Sequence, residues 1–178
     1  MSMPEMSFQF GPYNSLTDLG IICEVYDPLL PPKRERKIEI PGLDGMYDFG
    51  ANSYDERVIE CECKLINQIS KSQLREVAYK LSGKQRLSFW DEPEKYYTAE
   101  LYDSPSIQNI ADRLWLEFSL TFVCEPFAYS ELKNAPLYVG NNPIEYQGTA
   151  KTPTIITLHN HNNFSVSNIQ LTVIRRRG

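Results

Sequence analysis

The sequence lacks most of what marks a membrane, secreted, nucleic-acid-binding or metal-dependent protein. No apolar run approaches the roughly 18 residues that a spanning helix needs, so nothing reads as a membrane segment. The start, MSMPEMSFQFGPY, has neither a basic beginning nor an apolar stretch; no secretory signal is read, and synthesis in a cytoplasm is expected. Basic charge is also short, since 18 Lys and Arg against 23 Asp and Glu leave a net −5. A duplex-DNA binder needs clustered cations that displace counterions. The one uninterrupted basic triplet, Arg175-Arg176-Arg177, lies at the end and reads as a solvated tail.

Cysteine and histidine are few: Cys23, Cys61, Cys63, Cys124, His159 and His161. Cysteines of a cytoplasmic product stay reduced. Cys61 and Cys63 alternate with Glu60, Glu62 and Lys64, so they share a face with Ile59 and Leu65, as small core hydrophobes do. A zinc site would have to join Cys61-x-Cys63 to His159-x-His161, whereas structural zinc pairs favour about two to four intervening residues. No metal or cofactor is expected. Nucleophile elbow, P-loop and HExxH motifs are all missing, and no enzyme is read.

What is present is an ordinary globular composition, 42% hydrophobic and 23% charged, with length for one ample core plus an appendage. Phe8 and Phe10 alternate in a first short strand stopped by Gly11-Pro12, with Asn14-Ser15 continuing the turn. Ile21–Tyr26 reads as a buried strand. Prolines bar Asp27–Pro32 from a central strand and make it an extended arm whose Leu29 and Leu30 are either tucked underneath or held for a partner. Ile38 and Ile40 alternate with Lys37 and Glu39 as a half-buried strand. Pro41-Gly42 and Asp44-Gly45 supply turns, and Met46, Tyr47 and Phe49 run back.

Arg57–Ile66 is a long alternating strand. Ser70-x-x-Gln73 is a capping box, Ile69 can staple to Leu74, and Leu74, Val77, Ala78 and Leu81 form one stripe of a helix over about 71–82, ended by Gly83. Arg86–Trp90 and Tyr96–Tyr102 flank the turn DEPEK, and Arg113–Cys124 alternates cleanly enough for a central strand. Beyond it the chain turns rich in Asn, Gly and Pro; Thr154–Leu158 and Ile169–Ile174 read as strands around HNHNNFSVSN.

The acidic turn Asp91, Glu92 and Glu94 beside Trp90, Tyr96 and Tyr97 admits two weaker readings. One is a hydrolase carboxylate pair, although such pairs stand about 5–10 Å apart across a cleft and not in one turn. The other is a monomeric carbohydrate-binding β-sandwich using the three aromatics.

In this order the segments resemble the distal tail protein (Dit) family of long, non-contractile-tailed phages and prophages. The resemblance rests on DLGIICEVYDPLLPPKRERKIEIPGLDGMYDFG, the Arg57–Ile66 strand, the helix after Ser70, RLSFWDEPEKYYTAEL and LWLEFSLTFVCEPFAY, with GTAKTPTIITL like the family's crossing into its second domain. Leu43 stands where many relatives carry an Arg, so an ion pair made there is lost or replaced. Residues 136–178 are too few for the family's galectin-like lobe, so a short or truncated second domain is expected.

The resemblance implies a mainly-β protein: a β-sandwich with one helix and a protruding hairpin and arm over residues 1–135, then a short β segment over 136–178. It implies a homohexameric ring at the tail tip, assembled after synthesis in the host cytoplasm. The implied partners are the tube protein, the tail-associated lysin or spike protein, the tape-measure protein and receptor-binding proteins, with DNA passing the bore unbound and no membrane contact. Leu29, Leu30, Arg34, Arg36, Pro41, Gly42, Asp44 and Gly45 are the expected subunit interface. Trp90, Asp91, Glu92, Tyr96 and Tyr97 are the secondary interface or glycan candidates.

Overall fold

Alternating apolar residues become strands here wherever one face can be buried. The structure, a computed structural model, describes residues 3–34, 37–42, 44, 46–48, 53–67, 69–103, 117–150, 152 and 154–174. The chain divides into two units, Met1–Leu137 and Tyr138–Gly178.

In the first unit the elements run β1 (Phe8–Phe10), β2 (Tyr13–Asn14), β3 (Ile21–Tyr26), β4 (Lys37–Glu39), β5 (Met46–Asp48), β6 (Arg57–Leu65), α1 (Lys71–Lys80), β7 (Lys84–Phe89), β8 (Lys95–Asp103), β9 (Glu117–Cys124) and β10 (Tyr129–Ser130). One antiparallel sheet takes the order β2-β1-β7-β8-β9-β6-β3, with β10 on β8; among the described residues β4 and β5 pair only with each other. β9 lies between β8 and β6, central as expected, although residues 113–116 of its expected span fall outside the described residues.

The sheet is rolled. Phe122 on β9 meets Phe8 at 5.5 Å and Phe10 at 5.6 Å, although β7 and β8 separate β9 from β1 in the sheet. At the open seam Cys23 N–H donates to Met6 O at 2.8 Å and Ile21 N–H to Ser15 O at 2.7 Å, tying β3 to the backbone that flanks β1 and β2. The two layers of the expected sandwich are thus halves of one continuous sheet. Ile59, Cys61, Leu87, Ala99 and Leu120 fill the interior with the three phenylalanines. Each large side chain buried there contributes on the order of 1.5–3 kcal/mol.

Ser70 caps α1 as expected: its hydroxyl accepts from Gln73 N–H at 3.3 Å, and the Gln73 side chain accepts from Ser70 N–H at 2.8 Å. Leu74 and Leu81 reach the core with Val77 and Ile69 packed against it, while Ala78 is exposed. Gly83 takes the positive φ, +77°, that ends the helix.

Three expectations need correction. Asn14 does not merely extend a turn. With Tyr13 it pairs back onto β1, held because Asn14 Oδ1 accepts from Leu16 and Thr17 N–H. β3 is not buried on both faces; as the last strand of the sheet it turns Glu24 and Tyr26 to solvent. The strands at Thr154–Leu158 and Ile169–Ile174 are not formed, since the second unit has neither helix nor strand among its described residues. Its Ile155, Leu158, Ile169 and Val173 are exposed, so alternation there has no ladder partner within the unit to turn it into a sheet.

Candidate functional site

The arm leaves the sheet where a ladder becomes impossible. β3 pairs β6 as far as Tyr26 opposite Glu60, and then Pro28, Pro31 and Pro32 remove the N–H groups that pairing needs. Pairing resumes beyond them: Lys33 bridges Tyr54, Asp55 N–H donates to Pro32 O at 2.8 Å and Arg34 N–H to Ser53 O at 3.1 Å. β4 and β5 then continue the two legs as a ribbon, Lys37 opposite Asp48 and Glu39 opposite Met46. Gly42 at its tip has φ +88°, the turn geometry for which Pro41-Gly42 is suited.

The root of this projection is pinned by a residue that sequence reasoning passed over. Arg57, only 7% exposed, donates Nη1 to the Asp27 carboxylate and to Pro28 O, and Nε to Pro126 O at 3.3 Å. Tyr97 Oη donates to the other Asp27 oxygen at 2.9 Å, and the guanidinium lies 5.6 Å from the Tyr97 ring centre. Burial first, and the Asp27 carboxylate second, raise the Tyr97 phenol well above its ordinary value. Beside this network Tyr54 meets Phe127 edge-on at 5.2 Å, and Arg34 Nε pairs with Asp55 at 2.6 Å. The signal was available, because Arg57 shares its parity with Ile59, Cys61 and Cys63 and so puts a charge on the buried face.

The expected interface residues divide into two groups. Leu29 and Leu30, 94% and 72% exposed, sit on the arm just beyond the Arg57 network, and Arg34 lies in the hairpin stem. Pro41, Gly42 and Asp44 lie at the tip, while Arg36, Leu43 and Gly45 fall outside the described residues. Ile38 and Ile40 are more open than a half-buried strand would leave them, 47% and 38% exposed, because among the described residues β4 and β5 pair only with each other.

The residues of the acidic turn do not gather into one platform. Tyr96 and Tyr97 are neighbours on β8 and point to opposite faces. Tyr96 is covered by Arg86, 4.2 Å from its ring centre, and faces Tyr129 at 6.0 Å, while Tyr97 belongs to the Arg57 network. Trp90, Asp91 and Glu92 are exposed, and Glu92 holds Lys95 at 2.7 Å, which raises that lysine's pKa.

Cys23, Cys61, Cys63 and Cys124 are all free and buried. A hydrogen bond with Cys23 and then burial push the Cys61 thiol up; burial raises Cys63 and lifts Cys124 to about 12. They pack as neutral small hydrophobes. His159 and His161 lie in the second unit with rings 6.1 Å apart.

The outward face of β3, β6, β9 and β8 is acidic. Glu24 stands directly across from Glu62, and Glu60, Glu100, Asp103 and Glu117 join them, with Lys64 paired to Glu117 at 3.3 Å. Glu24 and Glu62 raise the pKa of exposed Tyr26. At one end of this face Val58, Tyr102, Thr121 and Val123 floor a groove of about 710 Å³ rimmed by Arg34, Asp55 and Glu56.

A family model described as a phage tail protein RIFT-related domain matches residues 14–124. No curated protein matches the chain. Among solved structures, the Dit protein of phage SPP1 is similar in fold, with a TM-score of 0.55 at 21% identity over 70% of this chain. That protein's crystal structure is described as a paradigm of the hub adsorption apparatus in phages infecting Gram-positive hosts, and this chain spans about half its length, 51%.

Proposed function

The chain belongs to the family of phage tail proteins built on the RIFT-related domain, and from that premise we propose that it is a hub protein forming a homohexameric ring at the distal end of the tail. The observation that carries this reading is the projection itself. A two-stranded ribbon alone is at best marginally stable in water, yet this one leaves a well-packed sheet with Leu29, Leu30, Ile38 and Ile40 open and its root fixed by buried Arg57. A preset arm loses little freedom when it docks on a neighbouring copy.

In this reading the ring joins the tail tube protein on one side to the lysin or spike protein on the other. The tape-measure protein and then DNA pass through the bore, and the second unit is where receptor-binding proteins would attach. A net charge of −5 suits a bore through which DNA slides without sticking. The protein then acts as a virion component at the tail tip, and its role is structural and not catalytic. Deleting residues 41–45 should abolish the ring while the circular dichroism and melting of the rolled sheet persist. Hexamers from that variant would refute the interface.

A further inference from the structure

The inner face of the seam holds a pair of thiols that the hub role does not use. We infer that Cys23 and Cys63 are the site of a reversible cross-strand disulfide, which clasps the arm-bearing strand β3 to β6 when an oxidising disulfide reaches them. The chemistry stands apart from the hub reading. Only its setting, a protein made in a reducing cytoplasm and carried out on a virion, rests on that reading.

Register and hydrogen bonding single out this pair. Cys23 stands directly opposite Cys63 in the antiparallel β3–β6 ladder, and both belong to the buried core. Cys23 N–H donates away from β6, to Met6 O at 2.8 Å, and Ile21 N–H does likewise to Ser15 O at 2.7 Å. In the same register, Ile66 N–H donates to Gly20 O at 3.0 Å. The bonds between β3 and β6 therefore fall at the even-numbered residues of β3, and Cys23–Cys63 is a non-hydrogen-bonded pair. Such pairs bring their Cα atoms to about 4.5 Å, with the side chains at their closest. Disulfides span Cα separations of about 4.4–6.8 Å, so a bond here needs no movement of either strand.

The other pairings fit worse. Cys61 lies opposite Val25 and reaches Cys23 only across the diagonal, where the two thiols hydrogen-bond. Diagonal Cα atoms stand about 7–8 Å apart, beyond the bridging range. Cys61 and Cys63 are two apart on one extended strand, with parallel Cβ directions and a Cα separation of about 6.7 Å, at the limit of that range. Cys124 lies opposite Arg57 on β9, across β6 from β3.

Both thiols are buried, so an oxidant meets them when β3 opens locally. That opening is available because β3 is the last strand of the sheet, joined at its outer edge by the two seam bonds. One thiolate attacks oxidised glutathione, forming a mixed disulfide and releasing one glutathione thiolate. The other attacks the protein sulfur of that mixed disulfide, forming the Cys23–Cys63 bond and releasing the second glutathione. The two thiol protons end on the two released glutathiones, and two electrons pass to the oxidant. The bond closes a loop of about 40 residues that contains the arm and the β4–β5 ribbon, and should raise the melting temperature by about 10 °C.

The test is to incubate the folded protein with oxidised glutathione at about pH 8.5, where thiolates form, and separately to refold it from urea in a glutathione redox buffer. Intact mass, thiol counting in denaturant and peptide mapping read the products. The four free thiols should fall to two, with two hydrogens lost and no glutathione retained. The bond should map to Cys23 and Cys63, and dithiothreitol should reverse both it and the rise in melting temperature. Cys61→Ala should still form the bond, whereas Cys63→Ala should form no internal bond and melt alike with and without oxidant. A bond mapped to Cys23–Cys61 or to Cys124, or four thiols surviving both treatments, overturns the inference. Neither result touches ring formation, which solution mass judges separately.

Discussion

Replacing Arg57 by Met should cost the first unit about 3 kcal/mol. Arg57 satisfies the Asp27 carboxylate and two backbone carbonyls, Pro28 and Pro126, from a side chain only 8% exposed. Breaking one partner out of a buried ion pair typically costs about 3–5 kcal/mol. The lower end applies because the Asp27 side chain is 32% exposed and keeps the Tyr97 hydroxyl. In a unit of this size that loss lowers the melting temperature by about 10 °C. Arg57→Lys keeps the charge but cannot hold three acceptors in one planar fork, so it should fall between wild type and Met. The double variant Arg57→Met/Asp27→Leu removes both charges and should recover part of the loss. Urea or thermal unfolding followed by circular dichroism measures these three and Asp27→Leu alone. A loss below about 0.5 kcal/mol for Arg57→Met, or strictly additive single and double changes, would refute the idea that this pair pins the arm.

Two further outcomes follow from the core. Phe122→Ala removes the ring that joins Phe8 to Phe10 across the rolled sheet and should destabilise by about 3–5 kcal/mol; a near-neutral effect in urea unfolding would mean that the roll is not closed there. The raised thiols of Cys61, Cys63 and Cys124 stay protonated in the fold while the unfolded chain releases protons above about pH 8.5, so stability should fall as pH rises. With three thiols involved, the slope approaches about 4 kcal/mol per pH unit above pH 9, and Cys63→Ala should flatten it; a flat profile from pH 8 to 10 contradicts the burial of these thiols.

The parts of this fold legible in the sequence are those where a pattern and its partner lie in the same short stretch. The alternation over Arg57–Leu65 places Ile59, Cys61, Cys63 and Leu65 on one face, and each is buried. The Ser70 capping box and the Leu74, Val77 and Leu81 stripe are likewise local, and the helix forms between Lys71 and Lys80. Features that depend on distant partners were less visible. Tyr13–Asn14 is too short to show a period, and that corner becomes a hairpin through bonds no pattern announces: Ser15 N–H donates to Phe8 O, the Ser15 hydroxyl accepts from Phe8 N–H, and Asn14 Oδ1 accepts from Leu16 and Thr17 N–H. The strands expected after residue 150 carry the alternation, but among the described residues of the second unit no ladder partner meets them. Alternation says which face a residue would take, not whether a neighbouring strand exists to make it matter.

The candidate site was visible in the same uneven way. Prolines in Asp27–Pro32 and the Pro41-Gly42 turn announce an arm and a hairpin from the sequence alone, because those residues act on their own backbone. The Asp27–Arg57–Tyr97 network joins residues from three separated stretches, and only the rolled sheet brings them together. Tyr96 and Tyr97 looked like one aromatic platform in the sequence, but adjacent strand positions face opposite ways.

The most direct test of the central claim is the solution mass of the wild-type protein, measured by light scattering across a concentration series and paired with negative-stain images. The account predicts six chains of 20.5 kDa, a mass near 123 kDa, and rings in the images. A mass of one chain at every concentration would contradict it.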